Sequence, residues 1–441
     1  MNKTNIRYFY LIWFGQLVSQ IGSGLTGFAM AVWVYQTTGS VTQFSLITLA
    51  TTLPGVLLSP IAGVLVDRWD RRWVLLLSDT GAALCTLTIA VLLYNDALSL
   101  WSIVLLLSIS SSCRSLQMPA YSASVPLLVP KDKLGNYNGI RQLAVALPRV
   151  AAPALAGLLV ETIEMWGVVF IDFVTFLIAV VTLLMVRIPR PESATAKEKE
   201  KSSILQEALE AWRFLRSQSA LMAIVGFFST TYFTIGLVNV CGPALILSFT
   251  SAASLGGALS LSGVGFVAGS LCMAVWGGPK LRIHGVLGFT VLFSLGVLLG
   301  GIYPSIVLIL IAMVLITFSA PLIFGCSEAL WQAKVPVEMQ GRVFALKNMV
   351  TRLAMPIAYV VAGPLADQVF EPLMRVGGPL AGTVGQVIGT GPGRGIGLML
   401  ILFGTLPILA AALAWLNPKI RNFERDIPDA IPEPAGAVAA S

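Results

Sequence analysis

Long apolar runs separated by short polar stretches dominate the hydrophobicity pattern of this 441-residue chain. An α-helix needs about 20 apolar residues to cross the hydrocarbon core of a bilayer. Because a backbone in lipid must satisfy its hydrogen bonds internally, we interpret each run as a membrane-spanning helix. The pattern predicts twelve of them, at 8–35, 42–66, 73–94, 100–124, 139–160, 166–187, 220–248, 256–278, 284–303, 305–328, 343–368 and 395–416.

One long polar segment divides the twelve runs into six and six. Its first part, RIPRPESATAKEKEKSS (187–203), has the Pro, Ser and charge content of a linker. The next stretch, ILQEALEAWRFLRS (204–217), has apolar and charged faces at helical spacing, which is typical of an amphipathic helix on a membrane surface. We therefore predict four parts: an N-terminal half at 1–187, a cytoplasmic linker at 188–219, a C-terminal half at 220–418 and a disordered cytoplasmic tail at 419–441.

A weak internal repeat relates the two halves. The segment VPKDKLGNYNG (129–139) aligns with VPVEMQGRVFA (335–345). The same offset also pairs two further positions, Gly157 with Gly363 and Glu161 with Asp367. The fifth and eleventh spans are therefore counterparts. The fold class we predict is an all-α polytopic membrane protein of two pseudo-symmetric six-helix halves, a plan that places a transport site between the repeats.

Composition and charge support this class. Hydrophobic residues make up 56% of the chain and charged residues only 11%, against about 25% charged in soluble domains. The Lys and Arg residues concentrate in alternate loops, so the net charge of +7 indicates cytoplasmic loops of a membrane protein rather than a nucleic-acid partner. We expect a multi-pass protein of the plasma (inner) membrane with both termini in the cytoplasm.

The sequence carries little that would support an enzyme or a cofactor. It has no GxxxxGK[ST] phosphate loop, and its one histidine, His284, lies in a basic loop. Its five cysteines fall in apolar runs without CxxC spacing, as expected of small buried side chains. We therefore predict a protein that is not an enzyme and holds neither cofactor nor metal.

A charged loop between the second and third spans carries a family resemblance. The segment GVLVDRWDRR (63–72) resembles the loop motif Gly-x-Leu-x-Asp-Arg-x-Gly-Arg-Arg of the major facilitator superfamily, with Asp70 in place of the usual Gly. With Asp at this position, the motif resembles that of the drug-exporter branch, which includes macrolide-efflux and siderophore-export proteins. The segments 9–46 and 118–134 resemble the same branch. The motif matches at six positions, namely Gly63, Leu65, Asp67, Arg68, Arg71 and Arg72.

The resemblance implies a function and a role for this loop. It implies a twelve-helix secondary transporter that works as a monomer in the bilayer and exports amphipathic small molecules in exchange for protons. It also implies that Asp67 latches the outward-open state by binding the opposite half, near the start of the eleventh span. The alternative is that the loop serves only as an orientation signal, held in water by its arginines.

Ionisable residues inside spans are candidates for the coupling of transport to protons, because burying a charge in lipid is costly. Arg114 resembles the arginine of the fourth span that the family links to proton coupling. Asp172 and Glu328 are the acids we place deepest, and we prefer Glu328 slightly as proton carrier because its span lines the cavity in this family. Asp79 we place near the cytoplasmic start of the third span. Arg149 and Arg352 occupy similar places in the two halves, where they either face the cavity or pair within their own half.

The substrate cavity should be mostly apolar with a few polar anchors. Our candidates for these anchors are Gln16, Gln20, Gln117, Tyr232, Asn239 and Trp331. Two alternatives to drug export stay open at this point. One is a dedicated transporter of a siderophore-like or lipid-like metabolite, and the other is a non-transporting scaffold or sensor with a transporter fold.

Overall fold

The computed structural model describes residues 3–129, 134–186 and 204–426. It is 88% helical, with no strand in this part of the chain. Ten helices there are long and apolar enough to cross a membrane, with mean hydropathies from 1.4 to 2.8. The predicted all-α polytopic architecture is therefore confirmed.

Seven helices form the part of the structure before the linker. Local capping explains several of their starts. The Ser40 side chain accepts from the backbone N–H of Gln43, and the Asp70 side chain from that of Arg72. Their bounds are α1 Lys3–Thr38, α2 Val41–Arg68, α3 Arg71–Tyr94, α4 Leu100–Ser115, α5 Gln117–Leu128, α6 Leu134–Thr162 and α7 Glu164–Met185.

The fourth predicted span is divided in two. A break at Leu116 separates α4 from α5, so neither piece reaches the length of a span by itself. The fifth predicted span corresponds to α6, which contains Pro148 and Pro153. With these two, the twelve predicted runs all correspond to helical segments of the structure.

The remaining helices follow the linker. The predicted amphipathic helix is α8, and the linker residues 188–203 before it lie outside the described residues. A π-helical segment, Leu365–Phe370, interrupts the eleventh span. The bounds are α8 Ile204–Ser217, α9 Ser219–Leu247, α10 Ala252–Trp276, α11 Arg282–Ile302, α12 Ile306–Lys334, α13 Val337–Arg352, α14 Ala354–Pro364, α15 Glu371–Met374, α16 Val384–Ile388, α17 Arg394–Leu416, α18 Pro418–Arg421 and α19 Phe423–Asp426.

The chain divides into two compact units. Unit 1 comprises residues 1–195, 243–261 and 359–369, and unit 2 comprises residues 196–242, 262–358 and 370–441. In unit 1, α1 packs along α6 and α7, α2 along α4, and α3 along α4 and α7. In unit 2, α11 packs along α12 and α17. Unit 1 thus contains the N-terminal half together with two short segments of the C-terminal half.

The beginning of the predicted tail is helical. Helices α18 and α19 follow the last span, and the Glu424 carboxylate accepts a 2.8 Å hydrogen bond from the backbone N–H of Ile283, in the first turn of α11. Lys334 Nζ donates to the Glu424 backbone carbonyl at 2.8 Å. These contacts order residues up to Asp426, and the rest of the predicted tail lies outside the described residues.

Candidate functional site

A cavity of about 570 Å³ with both apolar and polar lining residues lies within unit 1. Residues of six helices line it, from Gln16 on α1 to Asp172 on α7. Apolar side chains such as Phe28, Ile47 and Leu107 share the wall with amides and hydroxyls. The polar lining residues are Gln16, Gln20, Ser23, Thr26, Thr48, Thr51, Thr86, Ser110, Ser111, Arg114, Ser115, Gln117, Tyr121 and Asp172.

A fully buried carboxylate, Asp79, lies behind this lining. Its Oδ2 accepts a 2.8 Å hydrogen bond from Gln16 Nε2, and its Oδ1 accepts from the Gln117 amide. A buried carboxylate is costly unless it is hydrogen-bonded, and the two amides provide these bonds. Both glutamines also line the cavity, so they connect Asp79 to the cavity wall.

A second buried carboxylate, Asp172, lines the cavity directly. It is 3% exposed, and it accepts hydrogen bonds from Ser23 Oγ at 3.4 Å and Thr86 Oγ1 at 3.1 Å. The guanidinium of Arg114 interacts electrostatically with both Asp172 and Asp79. Asp172 and Arg114 therefore line the cavity together, and Asp79 lies behind its wall.

This polar cluster separates two apolar cores. One core contains Phe9, Leu75 and Leu183, and the other contains Met30 and Ile89. Along α1, Gln16 falls between the two cores, as Asp79 does along α3. Apolar packing therefore lies on both sides of the polar side chains along α1 and α3.

Unit 2 contains a second group of ionisable and aromatic side chains. Lys347 Nζ lies 2.7 Å from Glu328 Oε1 and 5.2 Å from the centre of the Trp331 ring. Lys347 is 5% exposed, whereas the Glu328 side chain is 47% exposed. Tyr232 stacks on Phe324 at 5.4 Å between ring centres. Glu328 is thus held by a buried lysine.

The structure brings together some of the predicted site residues and separates others. Gln16, Gln20, Arg114, Gln117 and Asp172 all line the cavity of unit 1. In unit 2, Arg352 interacts with Tyr232, and Trp331 is fully buried. Arg149 and Asn239 have exposed side chains on α6 and α9.

Two residues of these clusters were not among the predicted coupling residues. Asp79 was recognised as ionisable but placed near the membrane edge, whereas the structure buries it completely. Lys347 lies inside the apolar run 343–368, and a charge in such a run was the signal that could have found it.

The loop motif between α2 and α3 is described in part. Asp70, which replaces the usual Gly, caps α3. Arg72 donates a 2.8 Å hydrogen bond to the carbonyl of Leu184 at the end of α7, where cations are favoured. The side chains of Asp67 and Arg68 lie outside the described residues, so the latch stays a prediction.

In the described part of the chain, helices long enough to span a membrane surround a cavity with polar and apolar lining residues, an arrangement typical of membrane transporters. The sequence model of the Major Facilitator Superfamily matches residues 12–359. The chain belongs to the Major Facilitator Superfamily. The resemblance inferred from the loop motif is therefore confirmed, and so is the prediction of a transporter rather than an enzyme.

Exporters are among the similar proteins. Macrolide efflux protein A of Streptococcus pyogenes is 27% identical over 367 residues, which cover 82% of this chain and 90% of the relative. Multidrug efflux pump Tap of Mycolicibacterium fortuitum is 24% identical over 376 residues, which cover 83% of this chain and 91% of the relative. The similarity thus extends over most of the length of each protein.

Solved structures show the same fold. A bacterial homologue of the human lysosomal transporter Spinster, in an inward-facing and unoccupied conformation, has a TM-score of 0.69 at 15% identity and covers 97% of this chain and 99% of its own. The nucleoside transporter NupG has a TM-score of 0.70 at 14% identity, with 94% and 98% covered. At these identities the likeness concerns the fold alone.

Proposed function

We propose that this transporter exports amphipathic, drug-like small molecules across the plasma (inner) membrane by alternating access, in exchange for protons. The observation that carries the proposal is the cavity of unit 1, which Asp172 and Arg114 line and behind whose wall the Asp79 carboxylate is buried. The similarity to macrolide and multidrug efflux proteins supports the substrate class.

The cavity fits an amphipathic substrate of drug size. Sites for such ligands have volumes of about 300–1,000 Å³ and combine apolar walls with a few polar groups. Here the volume is about 570 Å³. Phe28 and Ile47 offer apolar contact, and the Gln20 amide offers both a donor and an acceptor.

The carboxylate cluster supports coupling to protons. Asp79 and Asp172 carry two negative charges when ionised, and Arg114 balances only one of them. An unbalanced charge away from water is costly, so we propose that the cluster takes up one proton when the cavity is closed to water and loses it when water enters. This moves the proposed proton carrier from Glu328, which Lys347 already neutralises, to Asp172 and Asp79.

We further propose that both termini lie in the cytoplasm and that one copy is sufficient for transport. The orientation rests on the Lys and Arg residues of alternate loops, which include Arg71 and Arg72 between α2 and α3. On this orientation, the α1–α2, α3–α4 and α9–α10 connections are external.

The test is the accumulation of a macrolide and of an amphipathic fluorescent dye in cells that express the protein, with and without a protonophore. We expect lower accumulation than in cells without the protein, and loss of the difference with the protonophore. Asp172→Asn and Asp79→Asn should each lose the difference. Asp96→Asn is the matched control, because Asp96 is exposed at a turn with φ of 50°, which Asn tolerates.

The proposal would be overturned by two results. Accumulation unchanged for every compound would exclude broad drug export and would point to a dedicated metabolite. Export that survives both the protonophore and the two Asp→Asn substitutions would exclude proton exchange at this cluster.

A further inference from the structure

An acidic residue of the eleventh span binds the first turn of α2. Asp367 Oδ1 accepts a hydrogen bond from the backbone N–H of Val41 at 3.0 Å. Its Oδ2 accepts from the N–H of Thr42 at 2.9 Å and from Ser40 Oγ at 2.7 Å. Asp367 belongs to the C-terminal half and α2 to the N-terminal half, so these bonds join the two halves of the sequence inside unit 1.

The acid at the equivalent position of the repeat likewise binds the first turn of α10. Glu161, the counterpart of Asp367, accepts a 3.0 Å hydrogen bond from the backbone N–H of Ala253 in the first turn of α10. Here the acid lies in the N-terminal half and the helix in the C-terminal half. Each half therefore supplies one carboxylate and receives one.

The two receiving helices begin alike. Ser40 Oγ accepts from the N–H of Gln43 at 3.2 Å, and Ser251 Oγ accepts from the N–H of Ser254 at 3.3 Å. The positions Ser40, Thr42 and Gln43 of α2 correspond to Ser251, Ala253 and Ser254 of α10 at one constant separation along the chain.

A glycine one turn before each acid lets the helices approach. A Cβ at Gly157 would lie 3.2 Å from the Cα of Gly256 and 2.7 Å from the carbonyl oxygen of Ala252. A Cβ at Gly363 would lie 2.7 Å from Ser45 Oγ and would meet the Cα of Thr42. Both acids thus reach their partner helices over a backbone contact that only glycine allows.

Each contact joins a carboxylate to N–H groups at the start of a helix. The first N–H groups of a helix have no partner within the helix and carry a partial positive charge. A carboxylate that accepts from them makes charge-assisted hydrogen bonds. All of the donors except Ser40 Oγ are main-chain groups, so a substitution of the acid is the direct way to change each contact.

We propose that Asp367 and Glu161 are positioning residues for the transport cycle and form a symmetric pair of locks that holds the external ends of the two halves together. Opening of the cavity to the outside then requires both carboxylates to leave their helix starts. The assignment to the external side rests on the orientation proposed above. Asp367 is the stronger lock, because it accepts three hydrogen bonds and Glu161 accepts one.

The experiment measures access to the cavity from outside. Thr51 lines the cavity and has an exposed side chain, so Thr51→Cys reports its accessibility to a membrane-impermeant maleimide added to intact cells. The background has the five native cysteines replaced by alanine and a verified level in the membrane. Asn95→Cys, in the α3–α4 turn, checks that the proposed external side is reached.

We expect Asp367→Asn to raise the labelling rate of Thr51→Cys about tenfold and Glu161→Gln to raise it about threefold. Asp367→Glu, which keeps the carboxylate, should restore most of the lock, and Gln368→Ala, which changes an exposed neighbour, should leave the rate unchanged. The variants should reach the membrane in equal amounts.

Unchanged or slower labelling in Asp367→Asn would overturn the lock, and so would an equal rise in Gln368→Ala. Failure to label Asn95→Cys from outside would overturn its external placement. The labelling needs no substrate, so a failure of drug export leaves this result intact. The two proposals can therefore fail separately.

Discussion

A glycine of α1 sets the position of the Asp172 carboxylate. A Cβ at Gly22 would lie 2.9 Å from Oδ1 of Asp172 and 3.1 Å from its Cα. We expect Gly22→Ala to displace Thr175 and the Asp172 carboxylate, because overpacking costs about 1–3 kcal/mol, and therefore to lower protonophore-sensitive export. Gly226→Ala on α9 is the control, because its added Cβ meets nothing within 4 Å and Gly226 does not line the cavity. Equal export by the two variants would contradict the assignment of coupling to Asp172.

The buried ammonium of Lys347 makes a separate prediction about stability. Glu328→Gln leaves that charge without its partner, whereas Lys347→Met replaces it with an apolar chain of similar length. We expect Glu328→Gln to destabilise the protein by about 1–2 kcal/mol, less than for a fully buried pair because the glutamate is half exposed. Lys347→Met should lower the free energy of unfolding by less than Glu328→Gln does. Thermal unfolding in detergent measures both, and the reverse order would show that the pair itself, rather than the burial of Lys347, determines stability.

Single residues were predictable from the sequence where their chemistry stood out against an apolar background. Arg114 and Asp172 do so, and they line one cavity. Asp79 stands out equally, but its burial depends on how α3 packs against the helices that carry Gln16 and Gln117. Hydropathy gives no information on that packing. Trp331 was predicted as a candidate anchor of the cavity, and the structure buries its side chain.

Neighbouring glycines of α10 differ in what they contact. A Cβ at Gly256 would meet the carbonyl oxygen of Pro153 in α6, whereas a Cβ at Gly257 meets nothing within 4 Å. We expect Gly256→Ala to destabilise the protein by about 1–3 kcal/mol, because the crossing of α6 and α10 must widen. Gly257→Ala should be neutral or slightly stabilising, since alanine favours the helix. Equal melting temperatures in detergent would show that the crossing tolerates the methyl group.

Helices were predicted by their length and apolar content, and this measure fails where the hydrogen-bond pattern changes. The break at Leu116 and the π-helical segment Leu365–Phe370 lie inside continuous apolar runs. Hydropathy measures how apolar the side chains are, whereas the break and the π-helical segment depend on which backbone carbonyl accepts from each backbone N–H. The π-helical segment contains Asp367, so the irregular stretch is the one that carries a proposed lock.

The whole molecule is expected to cross the membrane with its termini on one side. A C-terminal reporter that is active only in the cytoplasm should be active when fused after Ser441. The same reporter inserted after Asn95 should be inactive, because the α3–α4 turn is proposed to be external. The opposite pattern would reverse the orientation and would place the Asp367 and Glu161 contacts on the cytoplasmic side.

The internal repeat was visible in the sequence only in part. It paired Glu161 with Asp367, but nothing in the alignment of the acids indicated that each would bind a helix of the other half. Contacts between distant segments depend on the packing of whole helices. The sequence therefore predicted the symmetry, and the structure was needed to show what the symmetric residues contact.

The carboxylate cluster draws all of its members from residues 16–172, within the first half of the gene product. Under the proposed mechanism, the two copies of the ancestral repeat have specialised, and the first has retained the conversion of the proton gradient into work. The proposed substrate contacts of Phe28, Ile47 and Gln20 lie in the same copy, so substrate range and energy conversion depend on one set of helices. A library for engineering a pump with new cargo would therefore vary the apolar wall at Phe28 and Ile47 and keep Asp79, Arg114 and Asp172 unchanged.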